Sequence, residues 1–382
     1  MMSSHYSFFR KAYEYMVTRI ENSLQNLDMT VMERCLNQLY QGRLDKRVTV
    51  CGAGRSLQSV LLLGNELENV YGVRVNQVSN ANLRPLKAGD FFIVNSHSGS
   101  RKVLKHAKFA CSRGLNVIFI TGNENLLDEF ENVILIKDHL DCNKEFAPLG
   151  TEFEQASAVL CSCMGFAYNQ TDKLKTFNEG YYNAITGLTK NLKLLEEQEE
   201  FLLKFVDLIE EYLDIENNNV VYFKGVGINE IISRVIAIRY GHLHKNNLKD
   251  LRVVYEGHWR SRKTDDLAIF LSGSGETDQT IKYARQAGDI GMKLFTITSF
   301  KESSLASMNT FYKNSYGNLI IEGRPEMISY FNKSLRNVDI KFFPQFELNT
   351  YVTLDSLLAL IAKRNDITEE DMKKTHRDRE LE

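Results

Sequence analysis

The sequence predicts an α/β protein built from two tandem units, each a doubly wound parallel sheet with a helical leader. Short β-branched and aromatic runs that end in Gly or Ser alternate with segments whose apolar residues follow helical spacing. The same runs recur in the same order in both halves of the chain. Near-continuous apolar strands that alternate with helices are typical of a parallel sheet covered on both faces. Such sheets bind ligands at the carboxyl ends of their strands.

Three pairs of strand-like segments define the repeat. The pairs are 48–54 with 221–227, 90–99 with 266–275, and 116–121 with 293–298. The segments between them, such as 102–113 and 277–288, carry the helical pattern. We therefore predict a strand, a helix and a further strand in the same order in each unit.

Each unit is preceded by a predicted helical leader, 8–39 in the first unit and 178–213 in the second. This places the domain boundary near residue 176, with a first domain of residues 1–176 and a second of residues 177–382. No Pro- or Ser-rich linker separates the two domains, so we expect them to pack against each other.

The composition narrows the class of protein. With a formal net charge of −2, the chain has no overall basic surface, so we expect no nucleic-acid partner. No segment approaches the roughly 18 consecutive apolar residues of a membrane span. The first residues lack the apolar core of a secretory signal, and we expect a cytoplasmic protein. The 6 Cys lack zinc or redox spacing, so they are predicted to be reduced core thiols, with no metal and no cofactor.

The most informative motif is the turn 271–277, Leu-Ser-Gly-Ser-Gly-Glu-Thr, which follows the apolar run 266–270 and precedes a helical pattern. A glycine- and hydroxyl-rich turn there offers backbone amides, hydroxyl donors and the positive end of a helix dipole to one anion. The turn has no Lys, which excludes a nucleotide-type P-loop. We predict a site for the phosphate of a small molecule; a turn that only caps a helix is the alternative. Its residues are Ser272, Gly273, Ser274, Gly275, Glu276 and Thr277, with Ser299 at the next strand end.

Several motifs together resemble the sugar isomerase (SIS) domain family. They are Gly52-Ala-Gly-Arg-Ser56, the Ser-x-Ser-Gly turn, an Ile-Thr strand end, Leu149-Gly-Thr-Glu-Phe-Glu154 and Met372-Lys-Lys-Thr-His376. The pattern is similar to 6-phospho-3-hexuloisomerases and to the isomerase half of glucosamine-fructose-6-phosphate aminotransferases. The resemblance implies two flavodoxin-like sandwich domains, a phosphorylated sugar or aminosugar as ligand, and a homodimer.

The resemblance also implies catalysis. Aldose–ketose isomerisation through an enediol needs a base and a second proton-transfer group, roles that suit a carboxylate and a His. By motif position the candidates are Glu347, its first-copy counterpart Glu154, and His376. Gly227, Glu256 and His258 are candidates for contact with the sugar. Exposed first-turn carboxylates, a charged flexible tail and ordinary surface histidines are the alternative interpretations.

The two copies depart from the pattern in different places. The first has Ser96-His-Ser-Gly-Ser-Arg101, in which Arg101 replaces the hydroxyl of Thr277, but it retains Leu149-Gly-Thr151. We therefore expect the better phosphate site in the second unit. The first-copy equivalents are Gly54, Arg55, Ser56, Ser96, Ser98 and Ser100.

The sequence leaves three functions open. A phosphosugar isomerase is favoured. A phosphosugar-binding sensor without turnover has the same turn but does not use the acid–base pair. An aminosugar-phosphate isomerase or deaminase fits the two-domain layout.

Overall fold

A computed structural model describes residues 3–41, 46–80, 85–137, 142–245, 248–254, 262–327 and 343–377. These residues form two five-stranded parallel sheets, and helices lie against both sheets. The fold class predicted from the sequence is confirmed. Among the described helices, none is long and apolar enough to span a lipid bilayer.

The first sheet has the strand order β2-β1-β3-β4-β5, and its neighbouring strands pair in parallel. Its strands are β1 (Val48–Gly52), β2 (Val75–Gln77), β3 (Phe91–Asn95), β4 (Asn116–Thr121) and β5 (Asn132–Leu135). The helices of this half are α1 (Ser4–Gln25), α2 (Met29–Gln41), α3 (Gly54–Asn69), α4 (Arg101–Ser112) and α5 (Glu152–Ala167). A 3-10 turn spans Glu124–Asp128.

The second sheet repeats this order as β9-β6-β10-β11-β12, again in parallel. Its strands are β6 (Val221–Lys224), β9 (Val253–Val254), β10 (Leu267–Leu271), β11 (Lys293–Thr298) and β12 (Ser315–Ile320). A small antiparallel pair joins β7 (His244–Lys245) to β8 (Lys249–Asp250). The helices are α6 (Lys173–Glu196), α7 (Glu199–Glu210), α8 (Ile228–Tyr240), α9 (Asp278–Ile290), α10 (Met308–Phe311), α11 (Gln345–Arg364) and α12 (Glu369–Arg377).

The repeated landmarks of the sequence occupy equivalent strands. Strands β1, β3 and β4 correspond to β6, β10 and β11. Each predicted helical leader consists of two helices: α1 and α2 in the first unit, α6 and α7 in the second. Position 176, where the sequence places the domain boundary, lies in the first turn of α6.

The core continues from one sheet to the other through central helices. Nearly every side chain of α5 is buried, as is that of every residue from Phe346 to Ala362 in α11. Helix α1 packs against both α5 and α11, and α3 packs against α8. The two sheets therefore share one apolar interior.

The cysteines only partly follow the prediction. Cys35, Cys51, Cys161 and Cys163 are buried free thiols, and burial raises the pKa of Cys51 to about 11. Cys111 and Cys142 are exposed, so the prediction that every cysteine lies in the core is wrong for these two.

Candidate functional site

Each sheet changes winding direction between its second and third strands, which leaves a crevice at their carboxyl ends. In the second unit the crevice lies between β6 and β10, flanked by the turns 225–227 and 272–277. Gly227, at φ +63°, lies at the start of α8 and faces open space. The predicted anion turn therefore stands at the place where this fold binds ligands.

Side-chain hydroxyls form hydrogen bonds within the turn 272–277. Ser272 Oγ donates to Thr277 Oγ1 at 3.2 Å, and Ser274 Oγ accepts from the Glu276 amide at 3.1 Å. The Glu276 carboxylate turns away to accept from the amide and hydroxyl of Ser304, at 2.6 and 2.8 Å. Glu276 therefore ties the turn to the neighbouring loop, and the hydroxyl hydrogens of Ser274 and Thr277 find no acceptor among the described residues.

The loop after β11 forms the other side of the cradle. Gly275, at φ +67°, lies so close to Ser303 Oγ and Thr298 Oγ1 that a Cβ there would collide with Ser303. The Ser299 amide donates to the Gly273 carbonyl at 3.0 Å. Ser299 Oγ is buried and has no hydrogen-bond partner in the described part of the chain. The loop residues thus contact the turn at Gly273 and Gly275, and we call the whole group the cradle (residues 272–277, Thr298, Ser299 and Ser303).

Glu347 lies at the edge of the cradle, completely buried in the first turn of α11. Asn229 Nδ2 donates to Glu347 Oε1 at 3.0 Å. The second carboxylate oxygen of Glu347, Oε2, has no hydrogen-bond partner among the described side chains. The adjacent Phe346 ring packs on Gly273. One carboxylate oxygen is thus held by a hydrogen bond, and the other is not.

Arg324 was not predicted from the sequence, yet it joins the cradle to Glu347. Its side chain lies across Gly273, where a Cβ would collide with it, and its guanidinium contacts Glu347 Oε1. Gly323, at φ +138°, makes the turn that brings Arg324 there, since a side chain at Gly323 would collide with Phe346. The only sequence signal was a Gly-Arg-Pro turn after the last strand.

The first unit repeats the arrangement around its own glutamate. Ser56 Oγ donates to Glu154 Oε1 at 3.3 Å, as Asn229 does to Glu347. The Arg55 guanidinium lies 3.7 Å from Glu154 Oε2 and donates to the Leu149 carbonyl at 3.0 Å. Leu149 has φ +63°, an uncommon and strained value for a bulky side chain. Both glutamates are therefore buried and paired with an arginine: Arg55 belongs to the first turn of α3, and Arg324 follows β12.

The turn of the first unit lacks the hydroxyl group that packs on Gly275 in the second unit. Leu126 packs on Gly99 where Ser303 packs on Gly275. Ser98 and Ser100 are exposed, whereas Ser96 is buried and accepts from the Ser100 amide at 3.3 Å. Like Gly227, Gly54 has a positive φ and faces open space. The first unit therefore lacks a counterpart of Ser303, and it also has Arg101 in the position of Thr277.

Three predicted residues are not placed by the structure. Glu256 and His258 lie outside the described residues. His376 belongs to α12, but its side chain is also outside the described part. The helix itself is anchored, because His242 Nδ1 and Thr375 Oγ1 are 2.6 Å apart in a hydrogen bond.

Within the described ranges, no group of three or more His, Cys, Asp or Glu side chains could hold a metal ion. A separate groove of about 420 Å³ runs along the outer face of α9 and is lined by charged side chains, including Lys282 and Arg285. It shares only Glu276 and Ser304 with the region of the cradle.

Comparison with solved structures shows the same fold. Tagatose-6-phosphate ketose/aldose isomerase from Escherichia coli has a TM-score of 0.64 and 14% identity, with 97% of each chain covered. The C-terminal domain of glucosamine-fructose-6-phosphate aminotransferase from Francisella tularensis has a TM-score of 0.64 and 12% identity, over 93% of this chain and 96% of that one. A relative from Archaeoglobus fulgidus, itself uncharacterized, is 26% identical over 192 residues, which cover 46% of this chain and 98% of the relative.

The chain is a doubly wound α/β protein with a hydroxyl-rich turn at the switch point of its second sheet. Residues 215–323, in the second half of the chain, match the SIS domain family. The matched segment includes the whole turn 272–277 and Arg324 lies one residue beyond it.

Proposed function

We propose that this chain is a phosphosugar isomerase of the aldose–ketose type, with its working site in the second unit. The observation that carries the proposal is the position of a buried carboxylate next to a residue that contacts the cradle: Phe346 packs on Gly273, and Glu347 follows directly in α11. The cradle would hold the phosphate, and Glu347 would be the base that moves the proton between adjacent carbons. A tandem pair of SIS domains, a homodimer and a cytoplasmic location remain predictions from the sequence.

The cradle suits a phosphate monoester. Ser274, Thr277 and Ser299 each offer a hydroxyl without an acceptor among the described residues. Hydrogen bonds to a charged group contribute about 1.5–3 kcal/mol each, so three of them give micromolar to millimolar affinity. The amides at the start of α9 and the helix dipole add to this attraction.

The environment of Glu347 suits proton transfer. Its Oε2 is buried and has no hydrogen-bond donor among the described residues, while Asn229 fixes the orientation of the carboxylate through Oε1. A base held in this way contributes about 10²–10⁴-fold to the rate. His376 is the candidate for the oxygen protons, and Gly227, Glu256 and His258 for contact with the sugar, on the sequence pattern alone.

A non-catalytic phosphosugar-binding protein is the second candidate. The observation in its favour is that Arg324 and Asn229 both bind Glu347 Oε1, as they would for a purely structural carboxylate. An aminosugar-phosphate isomerase or deaminase uses the same cradle and differs in the substrate.

The test is a thermal-shift panel of hexose, hexulose, pentose and aminosugar phosphates, followed by NMR of any stabilising compound for interconversion. Stabilisation with interconversion supports the isomerase, and stabilisation without it supports the binding protein. Release of ammonia from an aminosugar phosphate would identify the deaminase. If no sugar phosphate stabilises the protein, the proposed function is wrong.

A further inference from the structure

We propose that Arg324 is a positioning residue shared between Glu347 and the phosphate, so that a phosphate in the cradle draws the guanidinium away and frees the carboxylate. The inference rests on the proposed function for its ligand. It adds a phosphate-dependent step that readies the base and makes the site selective for dianionic phosphate monoesters.

The contacts of Arg324 place it between the two groups. Its Nε and Cγ lie against Gly273, in the floor of the cradle, and its terminal nitrogen contacts Glu347 Oε1. The Arg324 side chain is 16% exposed and that of Glu347 is 0% exposed, so water screens the pair little. A short rotation of the guanidinium would move it from the carboxylate to an anion in the cradle.

The charges favour that movement. A guanidinium presents a planar fork that fits carboxylate and phosphate oxygens equally well. A phosphate dianion carries twice the charge of a carboxylate and therefore attracts Arg324 more strongly at equal distance. Glu347 would keep its bond from Asn229. The carboxylate would then lack its cation while the substrate is bound and regain it after release.

If Glu347 and the phosphate share Arg324, substitutions of Arg324 and of Glu347 should change the affinity for phosphate in opposite directions. Removing the cation with Arg324→Gln takes a charge-assisted bond from the phosphate, and we expect the affinity for inorganic phosphate to fall about ten- to hundredfold. Glu347→Gln removes the carboxylate charge that competes with the phosphate for Arg324, and we expect tighter binding. In the double variant, Glu347→Gln should have no further effect, because it acts through Arg324.

The experiment is isothermal titration of the full chain with inorganic phosphate. Lys282→Gln is the matched control, because it removes a positive charge from the outer groove of α9 and should leave the affinity nearly unchanged. Arg324→Lys keeps the charge without the fork and should bind with intermediate affinity. Circular dichroism of each variant checks folding.

The outcomes separate this inference from the proposed function. Weaker or unchanged binding in Glu347→Gln overturns the shared-cation proposal, since a purely structural Arg324 would make both substitutions harmful. If Ser274→Ala weakens binding and Arg324→Gln does not, the cradle stands and the role of Arg324 is wrong. If neither wild type nor Glu347→Gln binds phosphate, the cradle and the shared cation both fail.

Discussion

The side-chain amide of Gln155 donates to Asp355 Oδ2 at 2.7 Å and joins the helix that carries Glu154 to the helix that carries Glu347. The other carboxylate oxygen, Oδ1, accepts from Arg239 Nε at 2.6 Å. Arg239 and Asp355 are 0% and 2% exposed. One buried carboxylate thus ties together elements from both halves of the chain.

Asp355→Ala is expected to destabilise the protein by about 3–5 kcal/mol, because it leaves the buried guanidinium of Arg239 without its counter-charge. Urea unfolding measures this change. The double variant Arg239→Met/Asp355→Leu removes both charges and should regain most of the lost stability. Glu14→Ala, which breaks an exposed pair with Arg10, is the control and should cost less than about 1 kcal/mol. A double variant no more stable than Asp355→Ala would contradict this account.

Ser274→Ala is expected to weaken sugar-phosphate binding far more than Ser98→Ala. Ser274 is buried next to Gly275, on which Ser303 packs, whereas Ser98 is exposed next to Gly99, on which Leu126 packs. The loss of one charge-assisted hydrogen bond corresponds to about ten- to hundredfold in affinity. Titration calorimetry of the two variants decides, and the reverse order would move the phosphate site to the first unit.

Glu347→Gln is expected to abolish isomerisation without weakening ligand binding. The amide keeps the size of the side chain and its bond to Asn229 but has no basic oxygen. NMR of a stabilising sugar phosphate measures turnover, and calorimetry of the same sample measures binding. Glu154→Gln, the equivalent change in the first unit, is the matched comparison. Turnover equal to wild type in Glu347→Gln would remove Glu347 from the mechanism.

Glu66 is expected to make stability fall as the pH rises. The side chain is 2% exposed, packs directly on Gly165 and finds no hydrogen-bond partner for either oxygen among the described residues. Burial raises its pKa well above the ordinary value of 4.5. Its contribution is therefore fully present below pH 4.5 and is lost as the pH rises towards the pKa of the folded protein.

Glu66→Gln removes this ionisation, so the free energy of unfolding of the variant relative to wild type should rise between pH 5 and pH 8. The expected rise is about 1.4 kcal/mol for each pH unit by which the pH exceeds the pKa of the unfolded chain while Glu66 stays protonated in the folded protein. Urea unfolding at the two pH values measures the difference. The exposed neighbour Glu68→Gln should show no such gain. An equal difference at both pH values would mean that Glu66 does not titrate abnormally.

The sequence was sufficient for features that depend on local pattern. The apolar runs at 48–52, 91–95 and 267–271 became strands because β-branched and aromatic residues fit a sheet covered on both faces. The position of the turn 272–277 followed from its place between a strand and a helix. The helical leaders were also predicted from apolar spacing, but their division into two helices, at 26–28 and 197–198, was not.

The features that the sequence did not reveal depend on contacts between distant residues. Arg324 reaches Gly273 and Glu347 through the folded turn at Gly323, and the Gly-Arg-Pro sequence around it predicts a turn but not a site. Leu126 occupies in the first unit the position that Ser303 has in the second, and this equivalence can be seen only when the two sheets are superposed. Asp355 and Gln155 are 200 positions apart, and neither belongs to a motif.

Helix α1 lies at the beginning of the chain but packs against α11 near its end. Its apolar side, which includes Phe9, Tyr13 and Met16, is completely buried. Tyr13 accepts a hydrogen bond from Asn191 at 3.0 Å, so the N-terminal helix is also fastened to α6. If the gene were split at residue 176, each fragment would expose apolar surface that the other fragment covers in the intact chain. Only coexpression of the two fragments would be expected to give a folded protein that does not aggregate.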